Sequence, residues 1–411
     1  MGNVSSSNGL DKLVPKLRFP QFSDEWKTTR LGDIGTFTKG APLSKADISE
    51  TGTPFILYGE LYTTYDEVTY EIKRKTDKIV SETYYSKIGD VIIPTSGETP
   101  EEIATATCVM IPGVILAGDL NIYRTNLIDG RIVSFIINHV INDKIAKVAQ
   151  GKSVVHVKAE EIGKISINYP NTKEQKKILS FLELLDKKID KQKQLVESLK
   201  SYKRGVLSAI FNRKICFKDK DGNPFPEWSK RPIGFYMTPK AIKQVPTDTE
   251  PLMAFIAEIG VAFKGDRYDR SYLVKSDDKL YKRTDFNDFI YSSNNLDVGS
   301  IGLNKYGSAV ISDVYEIFQV NDNAIPSVIS SIIKQPAILY EIVRLRQGVM
   351  YGQYRIYAEE FLNVCIEMPC YEEQKLIADT IEKCEIKIEH EEKLLANLDD
   401  YKNSLISLMF I

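Results

Sequence analysis

From residue 178 to residue 210, apolar side chains recur at steps of three and four. The series reads Ile178, Leu182, Leu185, Ile189, then Gln192, then Val196, Leu199, Lys203, Val206, Ile210. It returns as Ile377, Ile381, Cys384, Ile388, Glu391, Leu395, Leu398, Lys402, Leu405, Met409. This heptad spacing predicts two long helices, each with one apolar stripe. The polar interruptions fall at equivalent places, Gln192 with Glu391 and Lys203 with Lys402. A polar residue in such a seam lowers stability and fixes register and partner. Pro170 and Pro369 lie just upstream, where each ends a strand without harming a helix. At about 1.5 Å per residue, each helix spans roughly 55–60 Å.

The two stripes belong to an internal duplication. Glu174-Gln175-Lys176 recurs as Glu373-Gln374-Lys375, 199 residues on. At that offset, and without a gap, Glu183 meets Glu382, Lys188-Ile189 meets Lys387-Ile388, and Tyr202-Lys203 meets Tyr401-Lys402. The approaches repeat as well, Ala159-Glu160-Glu161 with Ala358-Glu359-Glu360. Further upstream, Glu25-Trp26 and Leu31-Gly32 match Glu227-Trp228 and Ile233-Gly234 at an offset of 202. The chain thus divides into a mixed domain (1–170), a helix (171–213), a second mixed domain (214–370) and a closing helix (371–411).

The mixed domains read as α+β. Short β-branched and aromatic runs bounded by Gly, Asp and Pro predict strands at Pro54–Tyr58, Val91–Pro94, Val114–Leu116 and Ile165–Asn168. In the second copy they fall at Leu252–Ile256, Asp288–Tyr291, Ala309–Ile311 and Val364–Glu367. A helix is predicted over Arg131–Gln150, with a counterpart over Ser327–Gln347 that Pro336 should split. The apolar stripes must be buried, and the simplest partners are each other. An antiparallel pair gives the duplication a pseudo-two-fold axis. Laying 174 against 411 sets Lys203 opposite Glu382 and Lys402 opposite Glu183.

Composition narrows the class. With 43% hydrophobic and 27% charged residues, the chain reads as globular. No apolar run reaches the ~20 residues of a membrane span, and no signal peptide opens the chain. Met1-Gly2-Asn3-Val4-Ser5-Ser6 fits a myristoylation pattern but carries no second membrane signal, so it reads as a polar leader. The scattered Cys108, Cys216, Cys365, Cys370 and Cys384 read as cytoplasmic thiols. His139, His156 and His390 offer no zinc spacing. The net charge of −2 counts mildly against nucleic acid, although a local basic stripe suffices for phosphate.

Catalytic motifs are missing. Gly151-Lys152-Ser153 resembles the end of a phosphate-binding loop, but Ala146 stands where that loop needs glycine. No Asn-Pro-Pro-Tyr, GxSxG or HExxH occurs, and no carboxylate pair stands out. No catalytic or metal residue is assigned.

Recognition features are better represented. Lys152, Ser153 and His156 lead into the last strand of the first domain, and Tyr351, Gln353, Tyr354 and Arg355 occupy the counterpart. Such side chains bond base edges, and the glycines nearby admit close backbone approach. The plain alternative is a polar loop, with His156 a half-exposed strand residue. Candidate phosphate contacts are Lys39, Lys45, Lys73, Arg74 and Lys75 in the first domain, with Lys78 beside them. In the second they are Lys264, Arg267, Arg270 and Lys305, with Lys279, Lys282 and Arg283 in the same basic clusters. Tyr62, Tyr65, Tyr291 and Tyr306 read as packing residues that could also meet DNA. Helix pairing or subunit contact falls to Glu183, Gln192, Lys203, Glu382, Glu391 and Lys402.

The repeated Pro-then-Glu-Gln-Lys starts of the long helices carry a family resemblance. So do the Trp-x4-Leu/Ile-Gly openings at Trp26 and Trp228, and Gly89-Asp90-Val91-Ile92-Ile93. The chain resembles the specificity subunits of type I restriction-modification enzymes over nearly its whole length. The resemblance implies two target recognition domains reading the halves of a split, asymmetric double-stranded DNA site. The paired helices would set the gap and dock two modification subunits. Those partners would bring S-adenosylmethionine for adenine N6 methylation, and restriction subunits would add ATP- and magnesium-dependent translocation and cleavage. This chain would then bind no cofactor and catalyse nothing. Two other readings stand beside it: a coiled-coil scaffold with two protein-binding domains, and an autonomous nuclease or methyltransferase.

Overall fold

The two apolar stripes lie on helices Thr172–Phe211 and Tyr371–Met409, of 40 and 39 residues. A computed structural model describes residues 13–151, 154–256, 259–263, 279–293, 300–350 and 353–411. The contacts divide the described chain into two units. The first runs to Lys193 and adds Leu394–Ile411; the second is Gln194–Lys393.

In the first unit, the central sheet has five strands in the order Gly35–Lys39, Leu120–Thr125, Asp90–Pro94, Thr107–Val109, Val68–Thr69. All its pairings are antiparallel except the last. A smaller sheet sets Thr53–Leu57 between Lys75–Thr76 and Ile115–Ala117. The strand Asp90–Pro94 is buried throughout, which is why it reads as a continuous apolar run. It starts from Gly89 at φ +91°, and the backbone of Gly130 lies so close that a Cβ there would sit 2.1 Å from the Gly89 carbonyl oxygen.

The predicted helix Arg131–Gln150 is broken. Gly130–His139 ends at Val140, and Asn142–Val148 follows as a separate helix. No proline marks the break. Ile141 turns inward instead, buried in the same core as Ile137 and Ile145. In the second unit the split at Pro336 is observed, with helices Pro326–Ile333 and Pro336–Arg344. Proline sits at the first position of both, where its missing N–H has no intrahelical partner to lose.

The second unit carries a four-stranded antiparallel sheet, Met237–Pro239, Tyr315–Val320, Phe289–Ser292, Ile301–Leu303. A three-stranded sheet of Lys243–Gln244, Tyr281–Thr284 and Ala309–Ile311 accompanies it. The predicted strands fall within one or two residues of those observed.

Each unit closes in the same way. Lys27–Arg30 pairs with Ser166–Tyr169 in the first, and Ser229–Pro232 with Cys365–Met368 in the second. These ribbons bring the opening Trp motif beside the start of a long helix. The seam then joins the domain core. Ile178, Leu182, Leu185 and Ile189 share a cluster with Val133, Ile137, Leu405 and Met409 in the first unit. Ile210, Ile377 and Ile381 do so with Val328, Phe289 and Phe361 in the second. Burying each such side chain contributes on the order of 1.5–3 kcal/mol.

Two anticipated cross-helix pairs are corrected. Lys203 bonds Glu385 at 2.7 Å, not Glu382, and Lys402 bonds Asp186 at 2.8 Å, not Glu183. Both differ by three residues, and the observed pairs are still equivalent at the 199 offset. The physical reason lies in what each carboxylate faces. Glu183 is taken by Arg131 and the Tyr70 hydroxyl of its own domain, and Glu382 is exposed to water.

Candidate nucleic-acid interface

The repeated Glu-Gln pair is a structural joint. Asn171 caps the first long helix, its Oδ1 accepting the N–H of Lys173 and of Glu174. Gln175, one turn in and buried, donates from Nε2 to the Pro170 carbonyl at 2.9 Å and accepts the Asp129 N–H at 2.9 Å. Asp129 in turn caps the domain helix Gly130–His139. Gln374 repeats the arrangement, donating to the Pro369 carbonyl at 3.0 Å and accepting the N–H of Ile325, the N-cap of Pro326–Ile333, at 2.8 Å. Each glutamine therefore fastens a domain helix to a spacer helix by a buried amide that bonds at both its oxygen and its nitrogen.

The glutamates beside them are also buried but paired differently. Arg18 meets Glu174 through two hydrogen bonds of 2.7 Å. Glu373 instead accepts the Trp228 indole N–H at 2.9 Å, and burial pushes its carboxyl above the ordinary range. Trp26, the counterpart of Trp228, has a buried Nε1 with no hydrogen-bond partner among the described residues. Arg18 has taken the acceptor that the other copy gives to tryptophan. No pattern in the sequence flagged Arg18, because it lies outside the repeat.

A second charged cluster lines a cavity of about 670 Å³ in the first unit. Burial opposes charge on Glu67, but His139 at 2.6 Å and the Lys402 ammonium outweigh it and hold the carboxyl down at about 2. Lys402 also bonds Asp186. Arg131 bonds Asp129, which holds its guanidinium firmly charged against burial, and reaches Glu183 as well. These ion pairs bind the helices to the domain. Asp186 and Glu385 were not distinguished by sequence, since an exposed and a pairing heptad carboxylate look alike, and nothing local marked Arg131 as the partner of Glu183.

The candidate contact residues fall in three groups. Lys39, Lys45, Lys73, Lys75 and Lys305 are exposed. Arg74 is exposed but ion-paired to the buried Glu60 at 2.7 Å. His156 is exposed on a two-residue strand paired with Ser96–Gly97, and its backbone bonds Gln150 in both directions. Arg355 bonds Glu316 at 2.9 Å and lies over the Tyr357 ring at 5.2 Å. Lys152, Ser153, Tyr351, Lys264, Arg267 and Arg270 lie outside the described residues, as do the side chains of Gln353 and Tyr354. The backbone of those last two belongs to a hairpin of Gln347–Met350 with Gln353–Arg355.

Of the remaining candidates, Lys282 bonds Glu316, and Arg283 bonds Glu250 and Asp285. Tyr65 and Tyr291 are buried, Tyr62 donates to the Ser96 carbonyl, and Tyr306 is exposed with its edge against Phe263. Glu391 is buried and bonds Lys387 at 2.5 Å. Gln192 is half-buried on the first long helix. Among the described residues no group of three or more His, Cys, Asp or Glu could hold a metal, and no helix is long and apolar enough to cross a membrane.

Residues 23–201 match the family model of the type I restriction modification DNA specificity domain. The fold is similar to that of the type I restriction-modification S subunit from M. genitalium, with a TM-score of 0.54 at 12% identity over 97% of this chain and 99% of that one. It is similar also to a chain solved in work on complex assembly and conformational transition of the type I R-M system, with a TM-score of 0.55 at 15% identity over 93% and 96%. Identities this low speak for fold alone. No curated protein matches the sequence.

Proposed function

We propose that the chain, whose residues 23–201 match the model of the type I restriction modification DNA specificity domain, is the specificity subunit of a type I complex. Each mixed domain reads one half of a bipartite, asymmetric site on double-stranded DNA. The domain limits are 1–170 and 214–370, with spacer helices at 171–213 and 371–411. The helices pair as an antiparallel coiled coil with pseudo-two-fold symmetry and set the gap between the half-sites. They also dock two modification subunits, through which restriction subunits join. S-adenosylmethionine, ATP and magnesium belong to those partners, and this chain recognises DNA in the cytoplasm without catalysing.

One observation carries the reading furthest. The family match ends at residue 201, yet Gln374 rebuilds both bonds of the Gln175 joint in the second half and adds a longer one to the Asn323 carbonyl. A second unit assembled to the same plan supports a second reading head. The equivalence of Lys203–Glu385 with Lys402–Asp186 supports the symmetric helix pair. The exposed lysines of the first domain supply cations for phosphate, which fix position without reading sequence. A rigid spacer between two heads suits two groove segments about one helical turn apart, roughly 34 Å.

Two measurements test this. Affinity of the purified chain, with its modification subunits, for duplex DNA should fall steeply with salt, because bound phosphates release counterions. A salt-independent or absent DNA affinity favours the scaffold alternative. Mapping N6-methyladenine after removing one heptad from each long helix should show unchanged half-sites at an altered gap. Changed half-sites would end the spacer assignment.

A further inference from the structure

Ile79 is 94% exposed, more than any other large apolar side chain among the described residues. It is presented by a well-held segment. Lys75–Thr76 pairs with Thr53–Pro54, the Ser49 N–H donates to the Lys75 carbonyl at 2.9 Å, and the Phe55 N–H donates to the Arg74 carbonyl at 3.1 Å. The Lys78 N–H donates to Thr76 Oγ1 at 3.2 Å, and Val80, the next residue, packs on the cluster of Ala41, Phe55 and Leu57. The backbone is thus anchored on both sides of a side chain that touches almost nothing.

The segment that carries Ile79 is rich in lysine, with Asp77 and Glu82 its nearest exposed carboxylates in sequence. Lys73, Lys75 and Lys78 are all exposed. Among the described residues Lys73 and Lys75 carry no ion pair, and Lys78 has only Asp77 at 3.9 Å. A lone apolar side chain on a segment with three exposed lysines is poorly matched to an apolar protein groove. It fits a surface that offers anions at its rim and a small apolar group between them. Duplex DNA does so in the major groove, where phosphates flank the 5-methyl group of thymine.

Resting on the specificity-subunit reading, we propose that Ile79 is a base-contacting, specificity-determining residue of the first domain, set against a thymine methyl group while Lys73, Lys75 and Lys78 take the flanking phosphates. This assigns sequence readout to a basic loop remote in sequence from residues 152–156. An apolar contact also reads a base without any hydrogen bond that water could replace.

The test uses the full complex and its own methylated site, taken from N6-methyladenine mapping. Thymines of the site are replaced one at a time by uracil, which removes only the methyl group. At one position of one half-site, uracil should weaken wild-type binding about fourfold, the worth of one buried methyl group. Ile79→Ala should weaken binding to the intact site by a similar factor, lose nothing further with uracil there, and bind scrambled duplex as the wild type does, with the same salt slope. Losses that simply add, or an Ile79→Ala complex that binds its site like the wild type, overturn the assignment. So does an Ile79→Ala chain that loses a protein subunit but keeps its DNA affinity. A wild-type complex without salt-dependent DNA binding would instead bring down the specificity-subunit reading itself.

Discussion

Gln175 accepts the backbone N–H of Asp129 at 2.9 Å, and so ties the cap of a domain helix to the first turn of the spacer helix. Its own amide hydrogen meets the Pro170 carbonyl. Gln175→Leu keeps the volume and strands a backbone donor and a carbonyl. The expected cost is about 2–4 kcal/mol, from groups left unpaired out of water. Gln374→Leu should cost a similar amount, because it too strands a helix-capping N–H and a proline carbonyl. Urea unfolding checks both, and a loss at one site alone would mean that the two joints are not equivalent.

Arg18 and Glu174 form a deeply enclosed pair, their side chains 9% and 1% exposed. Arg18→Met leaves a buried carboxylate alone and should destabilise the first unit by roughly 3–5 kcal/mol. Adding Glu174→Gln removes the orphaned charge and should recover part of the loss. A double variant no more stable than Arg18→Met would show that packing, not charge, sets the cost.

Glu67 links stability to pH. Its ordinary value of 4.5 is lowered to about 2 in the fold, through His139 and Lys402 acting against burial. A depressed carboxylate contributes stability above its unfolded value and loses it as pH falls through the folded one. Between about pH 4.5 and about pH 2 the wild type should therefore lose stability more steeply than Glu67→Gln. Parallel acid-unfolding curves would refute this.

Lys402 and Lys203 are equivalent by sequence and unequal by environment. Lys402 is 15% exposed and faces both Asp186 and Glu67, whereas Lys203 is 24% exposed and faces Glu385 alone. Lys402→Met should cost on the order of 3 kcal/mol, since it strands Asp186 and leaves Glu67 with His139 alone. Lys203→Met should cost no more than about 1 kcal/mol, as for a pair near the surface. Thermal unfolding of the two variants decides it; equal losses would mean that Glu67 adds nothing.

The sequence alone determined whatever depends on spacing. Heptads at 178–210 and 377–409 sufficed for two long helices, because burying a stripe demands apolar residues at steps of three and four. The 199-residue offset located the duplication, and β-branched runs between Gly, Asp and Pro placed most strands to within two residues. Pro336 marked its break because a missing N–H acts locally.

Tertiary structure decided what depends on which neighbour wins. The break at Val140 has no breaker residue; it follows from Ile141 finding the core. Lys402 meets Asp186 while Arg131 holds Glu183, a competition between groups far apart in sequence, and Lys203 meets Glu385 while Glu382 stays in water. The Glu-Gln motif could be counted twice in the chain, but its role as a joint exists only where the N–H of Asp129 or Ile325 arrives to meet it. Periodicity is local and survives in a string of letters; register, pairing and exposure are settled by packing, and the exposure of Ile79 is the plainest case.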